Sequence, residues 1–558
     1  MKRSSDKLFC CRWVRHRVPA AHREELYHIL RMTGPLLLSR ILNYLLPFVV
    51  TMFCGRLGNN VMAGYGLASA TINVTTAATG CGLGLACDTL VSQTFGGKNL
   101  LRVGVILQRG IIILLLFCLP CWALLINTQS ILLCLGQDPD VARIAQLYIT
   151  LFLPAVPAMF LHHLQVSYLQ NQGIILPQMY TAAVANIANV LTNYILVHWL
   201  DLGVSGSAAA NTLSQIYICI FLFAYIQWKK LHANTWGGWS AESLQEWGSY
   251  MKLAIPSALM KCFEWWVYEF GGFFAGMLSE DELAAQHAVM MVAAITYMFP
   301  FGIQAAACAR VGNALGAGDS GRAILSSKVS LTLAGCIAIL EGLLLASVKT
   351  VIGCIFTSDE KIISLVSHLM NAYCFLQFFD GLSVCTGIFL GTGRQRIPAV
   401  ANFIGYYCIG LSLSITLMFV AKLRVLGFWL GLLICVVLQS TFYIILIFKL
   451  DWEKMTDESA GGHQAEGTQC LTEDTEKVEV QANQGLNGNR LSNTQLIFRR
   501  GLTMFAVAAL LAIGTSVHFL VPLPEIPSKN SSTTQWINTT YAPDQILTNI
   551  LVGNEEPE

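Results

Sequence analysis

The sequence predicts an all-α polytopic membrane protein in which two six-helix lobes are followed by a thirteenth transmembrane helix near the C-terminus. Hydrophobic residues make up 54% of the 558 residues and charged residues 12%, whereas about 25% of a typical soluble domain is charged. Apolar stretches of about 20 residues, the length that crosses a hydrocarbon core, recur along the chain. An internal repeat groups these stretches into two similar halves.

The repeat has a register of 221 residues, which aligns helix-breaking residues of the two halves in the same order. Because Pro and Gly set kinks and turns in membrane helices, their recurrence predicts two copies of one membrane unit. Such duplication is typical of transporters. The aligned pairs include Pro35 and Pro256, Gly55 and Gly276, Asp138 and Asp359, Pro177 and Pro398, and Gly206 and Gly427.

Six apolar spans fall in each half. The N-lobe, residues 33–228, has predicted spans at 33–54, 62–86, 103–126, 145–168, 176–199 and 206–228. The C-lobe, residues 252–448, has them at 252–278, 287–309, 324–348, 363–387, 397–421 and 425–448. A last span, 501–523, has no counterpart in either half.

The polar segments set the orientation. Residues 1–32 are rich in Lys and Arg, and the inter-lobe linker 229–251 begins with Lys229 and Lys230, so the positive-inside rule predicts that both are cytoplasmic. Residues 449–500 are rich in Glu, Gln, Asn and Gly and are predicted to form a disordered cytoplasmic linker. An even number of spans per lobe makes the lobes parallel, related by a pseudo-twofold axis along the membrane normal.

Thirteen spans from a cytoplasmic N-terminus place the tail, 524–558, outside the cell, and we expect the protein in the plasma membrane. Two sequons in this tail make Asn530 and Asn538 candidate glycosylation sites. The chain shows no Walker loop and no Cys/His spacing typical of zinc. These observations predict a transporter and not an enzyme, with no cofactor, no metal and no nucleic-acid partner, which works as a monomer among membrane lipids.

Ionisable side chains inside the predicted spans mark candidate sites, because each costs at least about 2.5 to 3.5 kcal/mol on insertion scales. The acidic residues outnumber the basic ones, and Lys261 lies close enough to a helix end to snorkel. This predicts an acidic interior that suits a cation or a proton. The acids are Glu264 and Glu269 in the seventh span, Glu341 in the ninth, Asp380 in the tenth and Asp88 near the end of the second.

The seventh span combines acids with aromatic residues. Glu264 and Tyr268 share a helix face, whereas Glu269 is rotated by about 140° from Glu264. Carboxylates beside aromatic rings favour an organic-cation site through ion pairing and cation–π attraction. Packing or an interfacial aromatic belt is an alternative interpretation of Trp265 and its neighbours.

Two further acids have simpler interpretations. Glu341 sits in a plain aliphatic run, where a helix-pair contact or local water explains it as well as transport does. Asp88 is predicted to be an interhelical hydrogen-bond or capping residue, because it lies near a loop.

Several runs of residues resemble the multidrug and toxic compound extrusion (MATE) family. The first-repeat run at 86–96, ACDTLVSQTFG, and its second-repeat counterpart at 310–319, RVGNALGAGD, are similar to the paired motifs of that family. The runs GVILQR at 104–109, TWGGWS at 235–240 and EWWVYE at 264–269 resemble its vertebrate members. The similarity covers about residues 25 to 450.

The resemblance implies two lobes around a central cleft that exchanges protons for organic cations. It assigns proton coupling or cation binding to Glu264, Glu269 and Asp380. It also implies a substrate cavity and transport-sensitive cysteines. The cavity residues are Asn73, Trp265, Tyr268, Met291 and Tyr297, and the cysteines are Cys54 and Cys121.

One departure from the family concerns the eighth span, where Met290 and Met291 replace a Tyr-Glu pair of the relatives. Either coupling relies on Glu264 and Glu269 alone, or the substrates are less charged or more apolar, since methionine is an adaptable surface. Both explanations stay open at this stage.

The predicted function is a proton-coupled antiporter that exports organic cations, drugs and toxins by alternating access of two lobes. A sodium-coupled exporter or a flippase for lipid-linked substrates is an alternative of the same architecture. A rim of basic groups would favour the flippase, and the predicted acidic cleft argues against it. A channel or receptor is an alternative of another class, which would not need duplicated lobes.

Overall fold

The computed structural model describes residues 19–57, 59–356, 359–467 and 492–523, and within these ranges its regular structure is helical throughout. The candidate glycosylation sites Asn530 and Asn538 lie outside the described residues.

The first six membrane helices form the N-lobe. They are α1 (Ala20–Leu57), α2 (Asn60–Gly96, with a π-helical turn at Asn73–Ala77), α3 (Leu100–Ile126), α4 (Pro139–Phe152 and Ala155–Asn171, bent by 56° at the break), α5 (Leu176–Trp199) and α6 (Gly203–Trp228).

The next six helices form the C-lobe, and one more follows. They are α7 (Trp247–Leu278), α8 (Glu280–Gly316), α9 (Ser320–Val348), α10 (Glu360–Gly391), α11 (Arg396–Val420), α12 (Arg424–Lys449) and α13 (Asn493–Leu520).

By length and composition, eleven helices among the described residues can cross a membrane, or twelve when the bent α4 counts as one span. Helix α7 is not among them. It is long enough, but Lys261, Glu264 and Glu269 interrupt its apolar sequence. The charge that excludes α7 by composition is the charge that makes it the candidate functional helix.

Some helices begin before the predicted spans. Helix α1 begins at Ala20 and not at 33, α7 at Trp247 and not at 252, and α13 at Asn493 and not at 501. An apolar run detects only the part of a helix that faces hydrocarbon, whereas the helix itself continues into the polar interface.

The prediction of disorder throughout 449–500 is wrong at both ends, because residues 493–500 belong to α13 and residues Trp452–Gly467 form a helix. Composition was misleading because this helix is stabilised by tertiary contacts. Trp452 and Met455 are buried in a C-lobe hydrophobic cluster, and Glu458 forms a 2.8 Å ion pair with Arg394.

The backbone confirms the repeat. Asp201 and Lys422, which are 221 residues apart, have positive φ angles of 47° and 57°, and so do Gly203 and Arg424, with 53° and 56°. Both pairs lie in the turn that leads into the last helix of each lobe. Because non-glycine residues rarely adopt this conformation, the same turn at both places indicates one duplicated unit.

The largest hydrophobic cluster fills the N-lobe and also includes the start of α7, and two further clusters fill the C-lobe. The lobes meet along α2, which packs against both α7 and α8. We call the end of the bundle where α1 begins the proximal end, and the opposite end the distal end.

The lobes are closed together at the proximal end. Thr89 Oγ1 on α2 donates to the carbonyl of Leu390 at 2.7 Å, and Gln93 Nε2 donates to the carbonyl of Gly391 at 2.9 Å. Glu25 of α1, which is 4% exposed, forms a bidentate pair with Arg310 of α8 at 2.8 and 2.6 Å.

Helix α13 lies outside both cores and packs against α3. Asn127 Nδ2, at the end of α3, donates to the carbonyl of Gly514 at 2.8 Å. At the other end of α13, the guanidinium of Arg500 lies 4.1 Å from the ring centroid of Trp247. The thirteenth helix therefore joins the N-lobe and also touches the start of α7.

Candidate functional site

Glu264 is held by two polar neighbours inside the C-lobe. Its Oε2 accepts from the ammonium of Lys261 at 2.9 Å, and its Oε1 accepts from the hydroxyl of Tyr297 on α8 at 2.6 Å. The side chain of Glu264 is 13% exposed and that of Lys261 is 2% exposed. The structure thus brings the predicted residues Glu264 and Tyr297 together.

The expectation that Lys261 snorkels to a helix end is wrong. Lys261 and Glu264 are three residues apart on α7, so they share a helix face and meet as neighbours. A partner inside the protein makes the route to the membrane surface unnecessary, because a buried charge is stabilised when it is paired.

Asp380 lies across a small pocket from Glu264. The pocket is lined by two carboxyl groups and by a cluster of amide and hydroxyl side chains, and its cavity volume is about 20 Å³. Such a space holds water and not an organic cation. Its polar wall consists of Glu264, Asp380, Ser383, Thr386, Asn402, Tyr406, Gln439, Ser440 and Tyr443.

The amide wall of this pocket is fixed by hydrogen bonds. Tyr443 donates to Asn402 Oδ1 at 2.8 Å, Gln439 also donates to Asn402 Oδ1, and Asn402 Nδ2 donates to the carbonyl of Met260 at 3.0 Å. The sequence analysis missed these residues, although amides and hydroxyls inside predicted spans are themselves a signal for interior hydrogen bonding.

An aromatic pair extends the site toward the N-lobe. The rings of Tyr297 and Phe301 stack with centroids 5.8 Å apart. The Lys261 ammonium lies 5.5 Å from the Phe301 centroid, and the guanidinium of Arg40 on α1 lies 4.5 Å from the same centroid.

The sequence analysis overlooked Arg40, even though it falls inside the predicted span 33–54. A charged residue in a predicted span was a sufficient signal. With Arg40 and Lys261 both present, the prediction of a simply acidic cleft is wrong, because two bases accompany Glu264 and Asp380.

Glu269 is not part of the pocket. It lies on an exposed face of α7 and does not line the cavity of Glu264 and Asp380, which agrees with the rotation of about 140° between the two acids. Tyr268 is partly buried and packs against the C-lobe core, and Trp265 is also partly buried.

Two predicted cavity residues lie at other points between the lobes. Met291 of α8 is 43% exposed, and its Sδ accepts from the hydroxyl of Tyr44 on α1 at 3.5 Å. Asn73 is exposed at the start of the π-helical turn of α2. In the same turn the carbonyl of Val74 accepts from Trp266 Nε1 of α7 at 3.2 Å.

The two candidate cysteines belong to the N-lobe core. Cys54 Sγ is 3.1 Å from the hydroxyl oxygen of Ser207, and Cys121 is 2% exposed. Neither lines the pocket of Glu264, so an effect of either residue on transport would act through packing of the N-lobe.

Asp88 is an interhelical hydrogen-bond residue, as predicted. Its Oδ1 accepts from Ser167 at 2.5 Å and from Asn171 at 2.6 Å, both on α4. Glu341 makes a helix-pair contact, in which its Oε2 accepts from Gln377 of α10 at 3.4 Å. These contacts explain both acids without a role in transport.

Comparison with known proteins agrees with this architecture. The family model described as MatE matches residues 35–195 and 256–416, two ranges separated by the 221-residue register of the repeat. The Multidrug and toxin extrusion protein 1 of Danio rerio is 52% identical over 82% of this chain and 78% of its own length. The Homo sapiens protein of the same name is 45% identical over 90% of this chain and 95% of its own.

A solved structure shows the same fold. The crystal structure of the eukaryotic MATE transporter AtDTX14 superimposes with a TM-score of 0.76 at 26% sequence identity, and the match covers 79% of this chain and all of that one. The duplicated match to the family model and the extended identity to its vertebrate members show that this chain belongs to the MatE family.

Proposed function

We propose that this protein is a proton-coupled antiporter that exports organic cations, drugs and toxins in exchange for protons by alternating access of its two lobes. The observation that carries the proposal is the setting of Glu264, an interior carboxylate that contacts Lys261 and Tyr297 and shares a pocket with Asp380. The relatives of this chain are named multidrug and toxin extrusion proteins.

Glu264 has the chemistry for exchange because one carboxylate holds either a proton or a cation, and not both. In the described conformation Lys261 and Tyr297 occupy both of its oxygens. A proton on Glu264 would remove the charge that attracts a cation, and its loss would restore that charge. Asp380 supplies a second carboxyl group that lines the same pocket.

The size of the pocket supports alternating access. A space of about 20 Å³ does not admit an organic cation while the lobes are closed at the proximal end. The cation therefore enters after the lobes have separated. Proton and cation must each favour a different lobe arrangement, since a ligand that binds both arrangements equally couples nothing.

The driving force is limited. A gradient of one pH unit supplies about 1.4 kcal/mol per proton. Exchange of one proton for one monovalent cation therefore sustains at most about a tenfold cation gradient when the exchange is electroneutral.

The same proposal includes placement and assembly. The basic loops favour a cytoplasmic proximal end, and export from the cell requires that the protein lies in the plasma membrane. Both lobes and the whole pocket come from one chain, which supports a working monomer surrounded by lipid.

The test is uptake of labelled tetraethylammonium by cells that express the protein, with external pH stepped from acidic to alkaline. We expect uptake to rise at alkaline external pH and to be lost in Glu264→Gln. The control is Glu24→Gln, which removes an exposed acid of α1 and should leave uptake unchanged.

Other outcomes identify the alternatives. Uptake that follows a sodium gradient at constant pH would replace the proton with sodium as the coupling ion. A steady conductance without dependence on the proton gradient would indicate a channel.

A further inference from the structure

Two arginines from different helices converge on one short segment at the end of the inter-lobe linker. Arg500 of α13 donates from Nε to the carbonyl of Leu244 at 2.8 Å, and Arg109 of α3 donates from Nη2 to the carbonyl of Glu242 at 3.3 Å. The two guanidiniums are close enough to repel each other. With Arg499, the neighbour of Arg500 on α13, they form what we call the arginine cluster, at the proximal end where α3, α13 and the linker meet.

The acids around this cluster neutralise it only in part. Among the residues that the structure describes, Glu246 is the one acid with a carboxylate within 4.0 Å of Arg109, and none lies that close to Arg500. Glu246 Oε2 is 3.4 Å from Arg109 and 3.5 Å from Arg102, so two guanidiniums share one oxygen. Both distances exceed the roughly 2.7 to 2.9 Å of a charge-assisted hydrogen bond, so this pairing is loose.

Arg109 is the most deeply placed member of the cluster. It falls inside the predicted span 103–126, and its side chain is 7% exposed. Its Nε is buried and has no hydrogen-bond partner among the described residues. A buried, incompletely satisfied guanidinium in a membrane helix is costly and by default indicates a functional site. Arg109 therefore points to a ligand that the described side chains do not supply.

The surroundings of the cluster identify the kind of ligand. Arg499 and Arg500 directly precede the apolar span 501–523, and the exposed side chains of Phe498 and Phe505 flank them on α13. Guanidinium groups bind phosphate in bidentate geometry. A basic pocket between transmembrane helices, beside apolar surface, is suited to the headgroup of an anionic lipid.

We propose that the arginine cluster binds an anionic phospholipid whose headgroup carries a phosphomonoester, the chemistry of a phosphoinositide. The three arginines of the cluster and the one acid Glu246 leave two positive charges uncompensated, and a phosphomonoester carries about 1.5 to 2 negative charges near neutral pH. The acyl chains lie along the exposed apolar side chains of α13. This inference goes beyond the proposed function and does not depend on which substrate or coupling ion is transported.

The test is binding of defined lipids to the purified full chain in detergent, measured by native mass spectrometry. The probe is phosphatidylinositol 4-phosphate, and phosphatidylinositol with the same acyl chains is its comparison, because the two differ only by the phosphomonoester. We expect the probe to bind more tightly. The deacylated headgroup, glycerophosphoinositol 4-phosphate, should compete only weakly, because it lacks the chains that contact α13.

Variants with opposite expected effects assign the binding to the cluster. Arg500→Gln should lower the affinity for phosphatidylinositol 4-phosphate by about fivefold, the contribution of one arginine toward an anionic lipid. Glu246→Gln should raise the affinity by a similar factor, because it removes the acid that Arg102 and Arg109 share; loss of folded protein cannot produce a gain. The matched control is Arg396→Gln, which removes an exposed arginine at the proximal start of α11 and should leave binding unchanged.

Three results would overturn the proposal, each for a different reason. Equal affinities for phosphatidylinositol 4-phosphate and phosphatidylinositol would show that the site does not recognise the phosphomonoester. Equal competition by the deacylated headgroup would assign the site to a soluble phosphate compound and not to a lipid. Binding that is unchanged in Arg500→Gln and Glu246→Gln, or that falls equally in Arg396→Gln, would indicate general attraction to a basic surface. None of these results bears on the proposed antiporter, because the experiment measures no transport.

Discussion

Two glycines at the proximal end determine how closely the lobes can approach. A Cβ atom on Gly96 of α2 would lie 2.1 Å from the carbonyl oxygen of Asn313 on α8, and one on Gly316 of α8 would lie 1.8 Å from the carbonyl oxygen of Gln93 on α2. Both obstacles are backbone atoms of the opposite lobe, so no side-chain rotation relieves the clash. Alanine at either position should therefore disfavour the closed proximal end.

The size of this effect follows from the contact distances. A carbon–oxygen contact is comfortable at about 3.3 to 3.6 Å, so the two helices would have to separate by about 1 Å or more. Overpacking of this kind costs about 1 to 3 kcal/mol, which corresponds to a shift of about 5 to 150 fold between two lobe arrangements.

Cys308 reports that shift. It is buried in a small hydrophobic cluster with Leu85 of α2 and Leu390 of α10, between the two lobes. We expect a membrane-permeant maleimide to alkylate Cys308 faster by about 5 to 150 fold in Gly96→Ala, as measured by mass spectrometry of the Cys308 peptide. Gly335→Ala is the control, because nothing lies within 4 Å of a Cβ at that position.

The reasoning would be refuted if both Gly96→Ala and Gly316→Ala were expressed normally and labelled at the wild-type rate. That result would mean that the helices tolerate a methyl group at the interface by local adjustment. The lobe contact would then be softer than the backbone distances indicate.

Two further predictions concern contacts outside the pocket. Glu25→Gln leaves the largely buried side chain of Arg310, which is 13% exposed, without its bidentate partner, so it should lower the apparent unfolding temperature and speed Cys308 labelling. The double variant Glu25→Gln with Arg310→Gln should recover part of the lost stability, because removing one charge of a buried pair costs more than replacing both. Equal destabilisation by the single and double variants would contradict this. Gly514→Leu should detach α13 from α3, because even a Cβ atom at position 514 would lie 2.7 Å from Ala123, and proteolysis between α12 and α13 should become faster. Gly501→Leu is the control and should not change proteolysis, because position 501 faces open space. Unchanged proteolysis of Gly514→Leu would show that other contacts hold α13.

The sequence predicted the parts of the fold that depend on local pattern. Apolar length identified the spans, and the spacing of Pro and Gly identified the duplication that the paired turns at Asp201 and Lys422 confirm. Prediction from the sequence failed where tertiary contacts stabilise a segment whose composition indicates disorder. The helix Trp452–Gly467 is polar on average and is stabilised by the burial of Trp452 and Met455.

The candidate site was predicted in part. Glu264 and Asp380, which the sequence singles out because ionisable residues are rare inside membrane spans, line one pocket, and Tyr297, which the resemblance to the family indicated, donates a hydrogen bond to Glu264. Periodicity places Glu269 on another face of α7, but the resemblance to the family grouped it with Glu264. The pairing of Lys261 and the approach of Arg40 to Phe301 depend on how α1, α7 and α8 cross, which no local pattern specifies.

Around the candidate site the repeat is symmetric in one pair of bases but not in the acid Glu264, and this difference bears on coupling. The repeat register pairs Arg40 with Lys261, but it pairs Glu264 with Asn43. A substrate held only by Glu264 and Asp380 would contact the C-lobe alone, so its contacts would be the same in both lobe arrangements. A substrate that also touches Arg40 spans both lobes and favours the arrangement in which Arg40 and the C-lobe acids are close.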